Sequence, residues 1–295
     1  MKNLYILTIV LAVFSFSSCD VLEEPYMVDT STNQNQNPDT STNDTVRTYY
    51  QKILVEDFTG HKCQNCPRGH RTIEQLHNIY GDTMIAISIH CGYYSVPAAS
   101  GTEFTYDFRT DVGDELGGDG VNDYYGFYGI QGYPAGLVQT LAKESLSGND
   151  TWGGQVSTID RSTCNIGIWI ETEYDEPNHQ ASATIETEFL NDVTEPMNLT
   201  VYIIESGIIN WQVDIDDPHV HVEDYEHNHV LRGSFNGTWG ESISTGNLAG
   251  DKLVNTYTMD MGSDWVPENC AIVAFIYNSN TLEVLQVEEK HLIHE

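Results

Sequence analysis

The chain has 295 residues, of which 44 are acidic and only 12 are lysine or arginine, for a formal net charge of −32. That balance excludes nucleic-acid binding, because a protein holds phosphates by displacing their counterions with lysine and arginine. It suits a well-solvated protein.

The first stretch is "MKNLYILTIVLAVFSFSSCD". Lys2 supplies a short positive region, Leu4 to Phe16 form an apolar run, and Ser17 and Ser18 precede Cys19. The run is too short to stay in a membrane as a span, so residues 1–18 read as a secretory signal peptide. Small residues followed by a cysteine resemble the bacterial lipobox, with Phe16 in place of the usual leucine. That resemblance implies a lipid on Cys19; an ordinary signal peptide with a chance cysteine is the alternative. No other segment reaches the ~20 apolar residues that a span requires. The mature chain is expected outside the cytoplasm, where disulfides persist. Residues 19–49 are rich in Asn, Thr, Asp, Ser and Gln and nearly lack large apolar side chains. Such a segment cannot offset its ordering entropy, and a disordered tether is expected.

Roughly 245 residues follow, more than one typical core, so two domains are expected, over 50–162 and 163–295. The run "QKILVEDF" alternates, with Ile53, Val55 and Asp57 on one face and Leu54, Glu56 and Phe58 on the other, as in a buried strand. "TGHK" turns the chain, Pro67 sits just inside a helix start, and Ile73, Leu76, His77 and Tyr80 recur at helical spacing. Cys63 and Cys66 therefore lie at a strand-to-helix junction, with Cys63 at or just before the helix N-terminus. The helix dipole and the neighbouring Lys62, Arg68 and Arg71, together with His61 and His70, favour a thiolate there. A lone Cys-x-x-Cys leaves three readings: a redox centre, half a metal site, or a staple. A structural zinc site needs two more ligands at regular spacing, and no second Cys-x-x-Cys is present. A staple across a four-residue loop gains little.

"ILVEDFTGHKCQNC" resembles the first active-site strand of thioredoxins, in which a buried aspartate stands six residues before the first cysteine, as Asp57 does here. "YGIQGYPAGLV" resembles a later thioredoxin segment, which implies a cis Pro134, after Tyr133, packed against the disulfide. "TMIAISIH", 83–90, is the continuous apolar run of a parallel strand buried on both faces, and a strand at 136–140 follows Pro134. Three features depart from the pattern: Gln64-Asn65 between the cysteines, Lys62 in place of tryptophan, and an insertion at about 92–125. In the insertion, Asp111, Asp114, Asp119 and Asp123 offer carboxylates, but not at EF-hand spacing; a solvated acidic loop is the plainer reading.

A closing helix is expected around "TWGGQVSTIDRST". Seven β-rich runs then recur, at 164–172, 182–190, 198–205, 228–236, 253–260, 270–278 and 282–289, and suggest an immunoglobulin-like sandwich. Cys164 and Cys270 each open a strand, and a disulfide between them is one possibility. Cys91 is then either a resolving thiol or an inert buried one. "DIDDPHVHVEDYEHNHV" concentrates His219, His221, His227 and His229, as a transition-metal site or as a polar loop with its histidines hydrogen-bonded. Arg232 is expected to pair with Asp224 or Glu226.

"DFTGHKCQNCPRGH", "GIQGYPAGL", "EDYEHNHVLRGSFNGTWG" and "IVAFIYNSNTLEVLQ" resemble lipoproteins related to the 28-kilodalton outer membrane protein of Gram-negative bacteria. The resemblance covers nearly all of 50–295 and implies an outer-membrane address, periplasmic or surface-exposed. The expected fold is an α/β thioredoxin-like domain followed by an all-β immunoglobulin-like sandwich. The expected function is thiol–disulfide exchange on protein disulfides of the envelope. Cys63 is its nucleophile and Cys66 resolves the mixed disulfide. Asp57 assists Cys66, Pro134 presents a backbone edge, and Tyr133, His61 and Lys62 meet the substrate. No cofactor or metal is expected; the partners are protein thiols or disulfides, and the membrane through the lipid anchor. The alternative is a non-catalytic surface binding or adhesion module.

Overall fold

A computed structural model describes residues 47–243 and 246–293. The signal peptide, Cys19 and the tether up to residue 46 lie outside the described residues. The first half runs β1 (Ile53–Thr59), α1 (Cys66–Tyr80), β2 (Met84–His90), α2 (Asp111–Gly117), β3 (Ala135–Val138) and α3 (Asn149–Thr158). The second half is β4 (Ile166–Asp175), β5 (Gln180–Phe189), β6 (Met197–Glu205), β7 (Ile208–Val213), β8 (His221–His227), β9 (Val230–Ser234), β10 (Glu241–Ile243), β11 (Lys252–Asp260), β12 (Cys270–Asn278) and β13 (Val284–His291). Among the described residues no helix is long and apolar enough to cross a membrane.

Eight strands make one mixed sheet in the order β13-β12-β6-β9-β2-β1-β3, with β10 paired to β6. β1 and β2 run parallel, from Ile53 opposite Met84 to Thr59 opposite His90. β3 lies antiparallel on the outer side of β1. On the inner side β2 meets β9 at Ser88 and Val230, and β9 continues antiparallel into β6. β4, β5 and β11 form a separate three-stranded sheet, and β7 and β8 a two-stranded hairpin.

Alternation along the strands decides what covers each face. One face carries Leu54, Phe58, Ile87, Tyr202 and Phe275, and is covered by Val112 and Leu116 of α2 and by Tyr128 and Ile130. The opposite face is divided. Ile53, Val55, Met84 and Ala86 pack under Ile73 and Leu76 of α1 and Trp152 and Val156 of α3. Leu199, Val201, Ile203 and Ile272 pack against Ile168 and Ile185 of the smaller sheet.

This arrangement overturns the expected fold class. The chain is not a thioredoxin-like α/β domain followed by an immunoglobulin-like sandwich. Strands β1 to β3 and strands β6, β9, β12 and β13 share one sheet. The physical reason is the inner edge of β2: an apolar strand buried on both faces needs a partner on each edge, and β9 supplies the second one. Helices α1 and α3 cover only one face of β1 and β2, and the insertion covers the other.

Two core positions give stability tests. Gly136 on β3 has no room for a side chain: a Cβ there would sit 2.5 Å from the Glu56 carbonyl oxygen and 2.5 Å from the Trp152 ring. Gly136→Ala should therefore cost about 3 kcal/mol in urea unfolding, because backbone and a packed indole must both shift. Glu56 is 2% exposed among apolar side chains, and burial pushes its carboxyl up to about 8 from an ordinary 4.5. The folded state then binds that proton more tightly than the unfolded chain, so stability is full below pH 4.5 and falls as pH rises through about 8. Glu56→Gln should match the parent at pH 4 and exceed it at pH 8 by at least about 1 kcal/mol, read from urea midpoints.

Candidate functional site

β1 ends at Thr59, and the turn after it closes with Cys63 N–H donating to the Gly60 carbonyl at 2.9 Å. Cys63 and Cys66 form a disulfide with their Cα atoms 5.4 Å apart. α1 begins at Cys66, with Asn65 at its N-cap and a proline in its first turn. The helix end therefore meets Cys66 rather than Cys63. Cys63 is only 3% exposed and Cys66 is fully buried, so the cysteine expected to act as the nucleophile is not open to solvent.

Asp57, near the end of β1, is wholly buried beside α1. Neither of its carboxylate oxygens has a hydrogen-bond partner, and burial holds its pKa well above the usual carboxylate range. Gly69, one turn into α1, separates Asp57 from Pro134. A Cβ at Gly69 would meet Pro134 Cβ at 3.1 Å and Asp57 Oδ2 at 3.4 Å. The Tyr133–Pro134 peptide is cis. Tyr133 reaches Cys91 Sγ through its hydroxyl at 3.6 Å. Cys91 is a free, buried thiol, which burial pushes up to about 12; it is protonated at neutral pH.

Of the three residues assigned to substrate contact, Tyr133 and Lys62 are partly exposed and His61 is fully buried. The His61 ring packs between Phe104 and Phe108, with centroids 5.7 and 5.6 Å away, and burial lowers it to about 4. It faces the protein interior, not a substrate. Lys62 lies over the Tyr93 ring at 5.5 Å.

The second half of the chain supplies a wall that sequence reasoning missed. Hairpin β7–β8 lies along the disulfide loop. Val213 N–H donates to the His61 carbonyl at 2.9 Å, and Ile215 N–H to that of Gln64 at 3.0 Å. The buried Gln212 amide donates to the Cys63 carbonyl at 3.1 Å. Arg68 holds Asp216 with two bonds of 2.8 and 2.7 Å, and Arg71 reaches Asp214 and Asp216, each at 2.7 Å. Two of the three cations near the cysteines are thus paired with the hairpin's acids, which weakens the local positive field expected at Cys63. The available signal was the alternation in "IINWQV" and "HVEDYEH".

The hairpin also brings histidines to the site. His70 Nε2 is 3.0 Å from Thr59 Oγ1 and 3.6 Å from Asp57 Oδ2, and His70 Nδ1 is 2.6 Å from the Tyr225 hydroxyl. His227 is buried, with its ring 5.6 Å from that of His90, and the Phe108 ring lies 4.5 Å from each. A cleft of about 380 Å³ opens beside these groups, lined by His70, His77, Tyr225, Glu226 and His229.

The four histidines of 219–229 do not converge. His219 is exposed beside Asp217, His221 pairs with Glu103 at 2.5 Å, His227 turns inward, and His229 stacks on His77 at 4.9 Å. Among the described residues no group of three or more His, Cys, Asp or Glu side chains is arranged to hold a metal ion. Asp119 Oδ1 instead accepts from the backbone of Val121, Asn122 and Asp123. Arg232 pairs with Glu205 and Asp264, each at 3.2 Å, not with Asp224 or Glu226. Cys164 and Cys270 are free thiols. Cys164 faces Gln286 on β13, whereas the Cys270 carbonyl accepts from Leu292 just past its far end; six residues of strand, about 20 Å, separate those points.

The model of the family described as outer membrane protein Omp28 matches residues 121–295. No curated protein matches the chain. Among solved structures, HBP35 of Porphyromonas gingivalis is 15% identical, over 83% of this chain and 76% of its own, with a TM-score of 0.56. That likeness shows a shared fold and nothing finer. A domain of the outer membrane lipoprotein Omp28 from Porphyromonas gingivalis is 26% identical over 45% of this chain and 91% of its own, with a TM-score of 0.30. A protein from Agrobacterium tumefaciens is 12% identical over 84% of this chain and 98% of its own, with a TM-score of 0.45. Neither of these two superposes closely enough to support a geometric argument. The address read from the sequence, lipid-anchored at the outer membrane, agrees with the family match. With more than half of its length matched, the chain belongs to the Omp28 family of outer membrane proteins.

Proposed function

We propose that this outer membrane lipoprotein exchanges thiols and disulfides with proteins of the cell envelope through Cys63 and Cys66. The observation that carries the reading is the placement of a wholly buried Asp57, without hydrogen-bond partners, against the first turn of the helix that Cys66 opens and across Gly69 from Pro134. A loop staple has no use for a buried carboxyl held protonated, which costs free energy to keep. A thiol pair has one, because each exchange moves a proton on or off Cys66.

In this reading Cys63 attacks the substrate disulfide, and Cys66 resolves the resulting mixed disulfide. Asp57 exchanges a proton with Cys66. The backbone at Pro134 and the exposed rim formed by Lys62 and Tyr133 receive the substrate chain. Cys19 carries the lipid. No cofactor enters, since the electrons come from substrate thiols or go to substrate disulfides.

The near-complete burial of Cys63 favours a second reading, a non-catalytic binding module in which the disulfide only closes the loop. The two differ in one respect: exchange requires that a partner's sulfur reach Cys63 Sγ. A Cys66→Ala chain in its native envelope should accumulate mixed disulfides on Cys63, seen as heavier species that collapse on reduction, because nothing remains to resolve them. A Cys63→Ala chain should accumulate none. Equal absence of trapped partners from both variants would leave the binding module as the reading.

A further inference from the structure

We propose that His70 and Tyr225 carry protons between Asp57 and solvent during the Cys66 step, so that a residue of hairpin β7–β8 takes part in disulfide exchange. The inference rests on the redox reading of Cys63 and Cys66 and adds the proton path that this reading leaves open.

The path begins with a difficulty. Asp57 is wholly buried and has no hydrogen-bond partner on either oxygen, so a proton it receives needs another group to leave by. Cys66 and His70 are four residues apart on α1 and therefore share a helix face. Asp57 and Thr59 meet His70 from β1, the Thr59 hydroxyl 3.0 Å from its Nε2. His70 Nε2 lies 3.6 Å from Asp57 Oδ2, and His70 Nδ1 lies 2.6 Å from the Tyr225 hydroxyl. Tyr225 and His70 both line the open cleft of about 380 Å³. Asp57, His70, Tyr225 and the cleft therefore run in order from the buried carboxyl to water, and the transfer between Cys66 and Asp57 is the step taken from the redox reading.

The groups have the right chemistry. A neutral imidazole accepts a proton on one nitrogen and releases one from the other. Burial, then Arg71, lower His70 to about 4, against a smaller opposing effect of Asp214; the ring is neutral at neutral pH. The charged and titratable groups facing it are Arg71 from its own helix, Asp57 from β1, His90 from β2, and Asp214, Tyr225 and His227 from the hairpin and its turn. His229, which leads into β9, completes the set.

During oxidation of the dithiol, the Cys63 thiolate attacks a substrate disulfide, forms a new S–S bond to one substrate sulfur and expels the other as a thiolate. Asp57 passes its proton through His70 to Tyr225 and cleft water, then accepts the proton of Cys66. The Cys66 thiolate attacks Cys63 Sγ, closes the Cys63–Cys66 bond and expels the second substrate thiolate. The substrate disulfide gains the two electrons that the dithiol loses. Reduction of the pair by thiols runs the same steps backward, with Asp57 giving its proton to the departing Cys66 thiolate and refilling from the cleft.

The test uses the reduced, purified chain carrying Cys164→Ser, which silences the half-buried free thiol. The chain is mixed with 5,5′-dithiobis(2-nitrobenzoate) in stopped flow. The first release of thionitrobenzoate reports Cys63, and the second reports Cys66. Tyr225→Phe keeps the ring and removes the relay hydroxyl. It should leave the first phase within about twofold and slow the second about tenfold or more at pH 7. At pH 10, where hydroxide can strip Cys66 directly, the difference should vanish. His70→Asn should give the same pattern. An unchanged second phase at pH 7 in both variants overturns the relay and leaves the redox reading standing. Equal slowing at both pH values, or of both phases, also overturns it, since that marks structural damage. A parent chain that releases no second thionitrobenzoate overturns the relay and the redox reading together.

Discussion

The hydrogen bonds between hairpin β7–β8 and the disulfide loop are the constraint on which the rest of the site depends. The ion pairs look strongest but matter least. Arg68 and Asp216 are about half exposed, and pairs in that setting contribute roughly 0–1 kcal/mol. Gln212 is fully buried, and its amide holds the Cys63 carbonyl. Leaving such a buried group unsatisfied costs about 1–3 kcal/mol. The backbone bonds from Val213 and Ile215 fix the loop on either side of Cys63. The hairpin thus sets where the cysteines stand, and it belongs to the half of the chain that carries no cysteine motif.

That attachment explains why the chain folds around one sheet. β8 leads through Asn228 and His229 into β9, which lies against β2. The His229 carbonyl accepts from Ser88 N–H at 2.7 Å. The hairpin is therefore anchored at its base to the strand next to β1, and at its turn to α1. Between the two anchors its Tyr225 meets His70 and its His227 packs beside His90. The free thiols show the contrast. Burial pushes Cys91 and Cys270 up to about 12, which leaves them inert at neutral pH. Cys63 and Cys66 instead stand at the start of α1, the helix whose His70 meets Asp57 and Tyr225.

Local elements were legible where pattern and chemistry agreed. The β1 alternation, the proline-led start of α1 and the apolar run of β2 each point to one structure, and each is present. Asp57 and Pro134 were legible as positions through the thioredoxin resemblance, Asp57 by its spacing of six from Cys63 and Pro134 by the segment "YGIQGYPAGLV". The sheet order was not legible. Nothing local in "VLRGS" says that it pairs with Ser88 more than a hundred residues away, and strand pairing at that separation is set by packing. The hairpin was hidden for a different reason. "HVEDYEH" is mostly polar and lies among aspartates, so it reads as a polar loop; its Tyr225 and His227 are inward-facing only because α1 and the insertion meet them there. Arg232 misled for the same reason: its partners Glu205 and Asp264 are close in space and distant in sequence.

The central claim is that Cys63 and Cys66 exchange electrons with thiols and do not merely close a loop. The most direct measurement equilibrates the protein in glutathione buffers of graded ratio and reads the reduced fraction of the pair by alkylation and peptide mass. The expected result is a potential between about −270 and −120 mV, the span of exchange-active dithiols, whereas a pair that stays oxidised to below about −300 mV would behave as a structural cross-link and contradict the account.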